Sequence, residues 1–484
     1  MTLDRQKASH LNFKLKQFNS EREKMAIILC KHKEVIDEKM IDQIGENAVV
    51  FSSDYYIGKD FIKKRASSRF DYYYFYKGHL FSLGKADDIR LLQQQLLTGK
   101  DYDTAKNFNE FLINVTRIKK LKKWMFYPQI IQLEHTNRCN ARCIMCGHAN
   151  VDKNRCYDIL DAVFEQIETF LPFCRYVGLH GYGEPFLTQK LQEKFEVYRK
   201  YNVRLYANTN LSILPQAYLP YIADLFDEIN VSMDGFSKRT FEMIRRGLRF
   251  ETVIENIRTL KKHCPEIVLN IYMTLMRQNI LEADKAVFFA FENGAQKVVL
   301  SEMIPLDANH NHSDSLREYP AATSYMLEQA QKRAIELGIE IEFPQGWIGH
   351  YPEEMIIQQV ERIKMLNAKD IALNHETIVK DDGLLFNRQL LTKSVLDGSG
   401  IRCKGICDVL LQQIYVDADG TMAACCVDGF HSIGNIMDFE STTEYWESDQ
   451  VRLLRDSFGR GELPSICSHC NFITLERLKY LRIL

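Results

Sequence analysis

The chain has 484 residues, with 62 Lys and Arg set against 64 Asp and Glu. That balance lacks the basic excess of a general nucleic-acid grip, so nucleic acid is an unexpected partner. No stretch reaches the ~20 apolar residues of a membrane span, and the opening MTLDRQKASHLNFKLKQF lacks the apolar run of a signal peptide. A cytoplasmic location without membrane attachment is expected. Structural disulfides are rare there, so the thirteen cysteines divide into clustered metal ligands and scattered core thiols, the latter including Cys30, Cys156, Cys174 and Cys264.

Residues 1–126 carry no catalytic motif. After a charged stretch, MAIIL fits a helix, NAVVFSS a strand, and the tyrosine-rich RFDYYYFYKGHLFSL has strand propensity. ADDIRLLQQQLL and YDTAKNFNEFLINVTRIKKLKKW have helical period. This makes an α+β N-terminal extension of unknown role. From 127 to 343 strands and helices alternate. IIQLEH, RYVGLHG, VRLYANTN, EINVSMDG, VLNIYMTLM, KVVLSEMI and IEIEFP read as strands. YDILDAVFEQIETFL, LQEKFEVYRKY, FETVIENIRTLKKH and TSYMLEQAQKRAIEL read as helices, the last closed by Gly338. Such alternation predicts an α/β fold with a parallel sheet under covering helices. The repeat count fits a partial (β/α)6, TIM-like barrel, whose site would lie at the C-terminal strand ends. Residues 344–400 hold two expected helices, around EEMIIQQVERIKML and RQLLTKSVL, and form an insertion placed to act as a lid. Residues 401–484 are dense in cysteine.

LEHTNRCNARCIMCGH sets Cys139, Cys143 and Cys146 at Cys-x3-Cys-x2-Cys directly after the first barrel strand. Thiolates at short spacings are how one loop wraps an iron–sulfur cluster. Three ligands for a four-iron cube leave one iron open to a non-protein group, the logic that separates catalytic from structural metal sites. A zinc site completed by His148 is the alternative. The second strand ends in GLHGYGEPFL, where glycines permit close backbone approach to a ligand and Glu184 offers a carboxylate. Polar residues end the next strands, Asn208 and Asn210 on one, Ser232 and Asp234 on the other. Asn279 follows the fifth. Each could instead be a helix N-cap.

The cysteine loop resembles the signature of the radical S-adenosylmethionine (SAM) superfamily. That resemblance implies a 4Fe-4S cluster on Cys139, Cys143 and Cys146, with SAM chelated at the open iron. It further implies reductive cleavage of SAM to a 5′-deoxyadenosyl radical that abstracts a substrate hydrogen. Met145 stands where many members carry an aromatic side chain and serves as apolar cover. Gly181, Tyr182, Gly183, Glu184 and Pro185 match the family's motif for the SAM amine. Asn208, Asn210, Ser232 and Asp234 fall where relatives approach SAM, although Leu211 replaces a glycine that relatives place in the turn after Asn210.

A second constellation lies in RCKGICDVLLQQIYVDADGTMAACCVDGFHSIGNIMDF and ELPSICSHC. DADG is a strong hairpin signal. The arrangement resembles the SPASM/twitch extension behind many radical SAM cores, which implies an auxiliary 4Fe-4S cluster on Cys407, Cys425, Cys467 and Cys470. Cys403 and Cys426 are left over, and a four-cysteine zinc knuckle is the alternative. The implied function is hydrogen abstraction from a peptide, protein or small hydroxylated metabolite. The net reaction would be an oxidation assisted by the auxiliary cluster, with a flavodoxin or ferredoxin as reductant. An RNA-modifying enzyme on the same core and a non-catalytic iron–sulfur scaffold or electron carrier remain the competing classes.

Overall fold

The computed structural model describes residues 26–30, 48–52, 71–77, 79–119, 124–150, 156–303, 314–344, 346–373, 389–390, 398–402, 410, 412–423, 431–440, 442–459 and 462–464. The chain divides into two units, Met1–Tyr127 and Pro128–Leu484.

In the first unit β1 (Ala26–Cys30) pairs in parallel with β2 (Ala48–Ser52) and β3 (Asp71–Tyr76). β4 (His79–Ser82) returns antiparallel on β3, through a turn with Lys77 at φ 46. Ala26–Leu29 of MAIIL are thus in a strand, not a helix: the run is too short for a helix of its own, and pairing on both sides satisfies their backbone. Helices α1 (Ala86–Thr98) and α2 (Tyr102–Lys119) follow. Alternate tyrosines of β3 are buried, with Tyr72 edge-on to Phe111 and Tyr74 edge-on to Phe108 of α2.

The second unit is built on a ten-stranded sheet. Its parallel strands are β5 (Ile130–Leu133), β7 (Tyr176–Leu179), β8 (Arg204–Thr209), β9 (Phe226–Ser232), β11 (Val268–Leu275), β12 (Lys297–Glu302) and β13 (Glu340–Glu342), each paired with the next. The two-residue strands β6 (Arg142–Cys143) and β10 (Arg245–Arg246) lie outside it and pair with each other. Helices α3 (Asp161–Glu168), α4 (Leu191–Lys200), α5 (Leu219–Leu225), α6 (Lys238–Ile244), α7 (Phe250–His263), α8 (Ala283–Glu292) and α9 (Pro320–Leu337) occupy the crossovers. In α7 the buried Val253, Ile257 and Leu260 form one stripe, with Glu251 in the first turn and Lys261, Lys262 and His263 in the last, each favourable to the helix dipole. Gly338 ends α9 at φ 67, as its position predicts.

Alternation along β8 sorts the sheet's two faces. Leu205, Ala207 and Thr209 are buried, whereas Arg204, Tyr206 and Asn208 are half-buried. The open edge of β5 is taken by β16 (Gln413–Val416), which runs parallel to it. The DADG turn then returns the chain into β17 (Thr421–Ala423), with Gly420 at φ +86, and β19 (Gly434–Asn435) completes the sheet. Between these segments lie α10 (Glu353–Leu373), β14 (Gln389–Leu390), β15 (Gly398–Arg402) and β18 (His431–Ser432). After them come α11 (Thr442–Glu447), α12 (Asp449–Gly459) and β20 (Glu462–Pro464). The helix expected around RQLLTKSVL is not found at Gln389 and Leu390, which pair with β18. The rest of that segment lies outside the described residues.

Candidate functional site

The three cysteines leave the C-terminal end of β5 on one loop, and none forms a disulfide. Pairing of β6 with β10 sets Cys143 directly opposite Arg245. Ile144 N–H donates to the Ile244 carbonyl (3.0 Å), and Cys146 N–H closes a tight turn on the Cys143 carbonyl (3.1 Å). Met145 and Ile144 pack with Met243 on a core of Ile244, Met276 and Met303, so apolar cover at Met145 is present. His148 is buried and its Nε2 bonds the Asn137 carbonyl.

Burial pushes the thiols upward, Cys139 to about 11 and Cys143 to about 12, with Cys146 raised as well. Arg245 opposes the rise at all three. Its guanidinium is sequestered, 2.7 Å from Asp234 Oδ2 and 3.9 Å from Cys143 Sγ. Three soft sulfur donors beside a buried cation suit a thiolate-ligated cluster, since metal binding requires the deprotonated form that burial alone disfavours.

The turn after β7 is packed onto this loop. A Cβ on Gly183 would run into the Thr136 carbonyl and stand 2.8 Å from that of Arg138, and one on Gly181 would meet Glu134. The close approach these glycines permit is therefore to the chain's own backbone. Tyr182 N–H donates to Glu134 Oε1 (2.6 Å), and Pro185 opens a buried turn of 3-10 helix. Glu184 is 2% exposed. Its carboxylate accepts from Thr209 Oγ1 (2.5 Å), Asn210 N–H (2.7 Å) and Phe186 N–H (3.4 Å). Burial raises its carboxyl to about 7. Asn210 reaches back to the cysteine loop through Asn140 Oδ1 (3.1 Å). The adjoining Leu211 adopts φ 50, the left-handed region that favours glycine, with its side chain fully buried and its carbonyl held by Asn256 Nδ2 (2.9 Å).

Asp234 is fully buried. Besides Arg245, it accepts from Thr274 N–H (2.7 Å), and its backbone carbonyl takes a bond from Asn279 Nδ2 (3.1 Å). Ser232 ends β9, half-buried opposite Tyr272. Asn208 belongs to a row of carboxamides across the sheet. Asn270 Nδ2 donates to Asn230 Oδ1 (3.0 Å), and Asn230 Nδ2 to Asn208 Oδ1 (2.9 Å). Lys297 continues the register but is held by Glu340 and Glu342. His180 Nδ1 and Gln132 Oε1 are buried without a hydrogen-bond partner.

Sequence reasoning missed Arg245 and Glu134. Arg245 lies inside RRG, directly after α6, and the signal was a basic pair ending a helix beside Gly247 (φ +88). Glu134 ties three segments, accepting from Tyr182 N–H and from Ala418 N–H of the C-terminal hairpin (3.3 Å). Cys407, Cys425, Cys467 and Cys470, with Cys403 and Cys426, lie outside the described residues. Among the described residues no helix is long and apolar enough to cross a membrane.

Residues 133–290 match the model of the radical SAM superfamily, and residues 407–471 match that of the SPASM iron–sulfur cluster-binding domain. Residues 133–290 thus carry a radical SAM domain and residues 407–471 a SPASM-type domain, and the cofactors of those domains are SAM and 4Fe-4S clusters, catalytic and auxiliary. An uncharacterized protein of Methanocaldococcus jannaschii is 26% identical over 37% of this chain and 59% of its own length. A probable GTP 3′,8-cyclase of Thermococcus kodakarensis is 25% identical over 43% of this chain and 66% of its own. The matches thus span less than two thirds of either relative. Among solved structures, that of SuiB from Streptococcus suis superposes with a TM-score of 0.47 at 11% identity, over 80% of this chain and 84% of that one.

Proposed function

We propose that this chain is an enzyme that cleaves SAM reductively and takes a hydrogen atom from a small hydroxylated metabolite. In this reading Cys139, Cys143 and Cys146 hold the catalytic cluster. Cys407, Cys425, Cys467 and Cys470 hold the auxiliary one, which assists a net oxidation, and a flavodoxin or ferredoxin is the reductant. The observation that carries it is the loop itself: three thiols at the C-terminal end of the first parallel strand, within the stretch that matches the superfamily. When bound and reduced, the catalytic cluster supplies the electron that breaks the sulfonium C–S bond of SAM.

The protein's own groups hold the parts in place. Ile144 and Met145 anchor the cysteine loop on the apolar core of Ile244, Met276 and Met303. Asn210, through the Asn140 side chain, and the Gly181–Pro185 turn, through the Arg138 carbonyl, hold the loop, and with Asn208, Ser232 and Asp234 they form the side on which SAM would lie. The Asn208–Asn230–Asn270 row favours a hydrophilic substrate, because its remaining amide donors and acceptors would be left unpaired against an apolar one. The name of the Thermococcus relative, a cyclase of a nucleotide, points the same way. Residues 344–400 are assigned as cover for the site. Arg277, just beyond β11, supports this by holding Asn367 and Asp370 of α10.

Anaerobic reconstitution should give about eight irons per chain, as two four-iron clusters require. With SAM and a strong reductant the products should be 5′-deoxyadenosine and methionine. S-adenosylhomocysteine as the main product would sink the reading. Replacing Cys139, Cys143 and Cys146 with Ala should halve the iron and abolish 5′-deoxyadenosine. For the substrate class, perdeuterated extracts split into small polar metabolites and peptides would be offered in turn. Deuterium in 5′-deoxyadenosine should come from the metabolites. Label from the peptides alone would transfer the assignment to a peptide or protein.

A further inference from the structure

Arg245 is a charge placed where burial makes charge costly. Its side chain is 9% exposed and that of Asp234 is fully buried. Removing an ion pair from water costs several kcal/mol per ion unless geometry and further hydrogen bonds compensate. Here they do so on the acid's side: Asp234 is oriented by Thr274 N–H, and the Asn279 amide braces the same turn. The guanidinium therefore has a fixed direction. One terminal nitrogen faces Asp234 and the other faces Cys143 Sγ, and the cross-strand pairing of Arg245 with Cys143 leaves little freedom for either.

We propose that Arg245 is a positioning residue for the catalytic cluster: aimed by Asp234, it presents positive charge and an N–H donor to the Cys143 sulfur and thereby raises the cluster's reduction potential. The inference rests on the three cysteines being the cluster's ligands. Reduction adds one electron from an external reductant and makes or breaks no bond at Arg245. A fixed cation and a hydrogen bond to a ligating sulfur both favour the more negative, reduced state. Asp234 has two effects. It orients the guanidinium, a role the side-chain oxygen of Asn can keep, and its own charge opposes reduction, so removing that charge alone moves the potential opposite to removing Arg245.

The test is an EPR-monitored redox titration of the full-length, reconstituted holoenzyme, in which two reduction waves are expected. Arg245→Gln should lower one wave by at least a tenfold change in the reduction equilibrium, about 59 mV for one electron, and leave the other in place. Arg245→Lys should fall between Gln and the wild type. Asp234→Asn should move the same wave upward. If Arg245→Gln fails to load iron, Arg245→Lys and Asp234→Asn decide the matter by their opposite signs. Shifts in the same direction, or no shift in either wave, would overturn the proposal, because a purely structural role has no reason to produce opposed signs. If the Cys139, Cys143 and Cys146 replacements left both waves present, the ligand assignment would have failed rather than the role of Arg245.

Discussion

Two turns at the C-terminal ends of the strands that flank β8 solve one problem differently. After β7 the turn through Gly181–Pro185 buries Glu184 among neutral donors, the Thr209 hydroxyl and the Asn210 and Phe186 N–H groups. After β9 the turn through Ser232–Gly235 buries Asp234 against a guanidinium. Both acids are shut away from water and both abut the cysteine loop. Only the second is ion-paired; the charge of Arg245 also reaches Glu184, but as the least of the influences that lower its carboxyl. The first is a hub of hydrogen bonds that stitches β7, β8 and the loop together. The second is half of an ion pair whose other half points at a thiol. A buried carboxylate at a strand end is thus not one kind of object; its partner decides what it does.

The largest effect expected from this contrast is at Asp234. Asp234→Ala strands the Arg245 guanidinium and should cost about 3–5 kcal/mol in denaturant unfolding, the range for breaking a buried pair. Glu184→Gln turns one acceptor oxygen of the hub into a donor facing a buried O–H or N–H but leaves no orphaned cation, and about 1–3 kcal/mol is expected. A loss at Glu184 equal to that at Asp234 would erase the distinction.

The Glu184 change should also depend on pH. Burial lifts the Glu184 carboxyl from 4.5 to about 7 in the folded state. The folded protein therefore holds a proton that the unfolded chain has released across that window, and stability falls as pH climbs through it. Melting temperatures of the wild type and Glu184→Gln should converge from pH 5 to pH 7.5. A gap that widened would reverse the sign.

Gly183→Ala should cost about 1–3 kcal/mol as an overpacking change, and it should lower iron loading because the clash is with the cysteine loop's own backbone. Gly235→Ala, where the Cβ would stand 2.5 Å from Phe241 N, should cost the same while loading survives. The smallest effect is at Ser237, which caps α6 by accepting from Thr240 N–H. Ser237→Ala should lose about 1 kcal/mol with no change at the thiols.

Much of this was legible in the chain, and the reason is locality. The strand-and-helix alternation from Ile130 to Glu342 follows from short apolar runs and helical stripes, each read within a dozen residues. The cysteine loop and the DADG hairpin are equally local. What could not be read depends on which distant segments meet. The glycines of GYGEP predict a close approach, but not that the approach is to Thr136 and Arg138. Leu211 in place of glycine put the turn after Asn210 in doubt. The structure keeps that turn, with Leu211 in the left-handed region and braced by Asn256. Arg245 gave no sign of its role because its importance comes from a cross-strand partner roughly a hundred positions away. MAIIL was misread because the pairing of Ala26–Leu29 with β2 and β3 is invisible in a short apolar run.

The pairing of β5 with β16 sets a timetable for synthesis. Ile130 finds its neighbour on that side only in Gln413, and Glu134 bonds Val416 and Ala418. At roughly 5–20 residues per second on the ribosome, the strand leading into the cysteine loop waits on the order of tens of seconds with one edge uncovered. Such edges invite pairing with other chains, and pairings this distant in sequence form slowly. The loop's support from Ala418 therefore arrives late, and a nascent chain halted before Gln413 would expose the β5 edge beside its thiols to whatever strand or metal comes first.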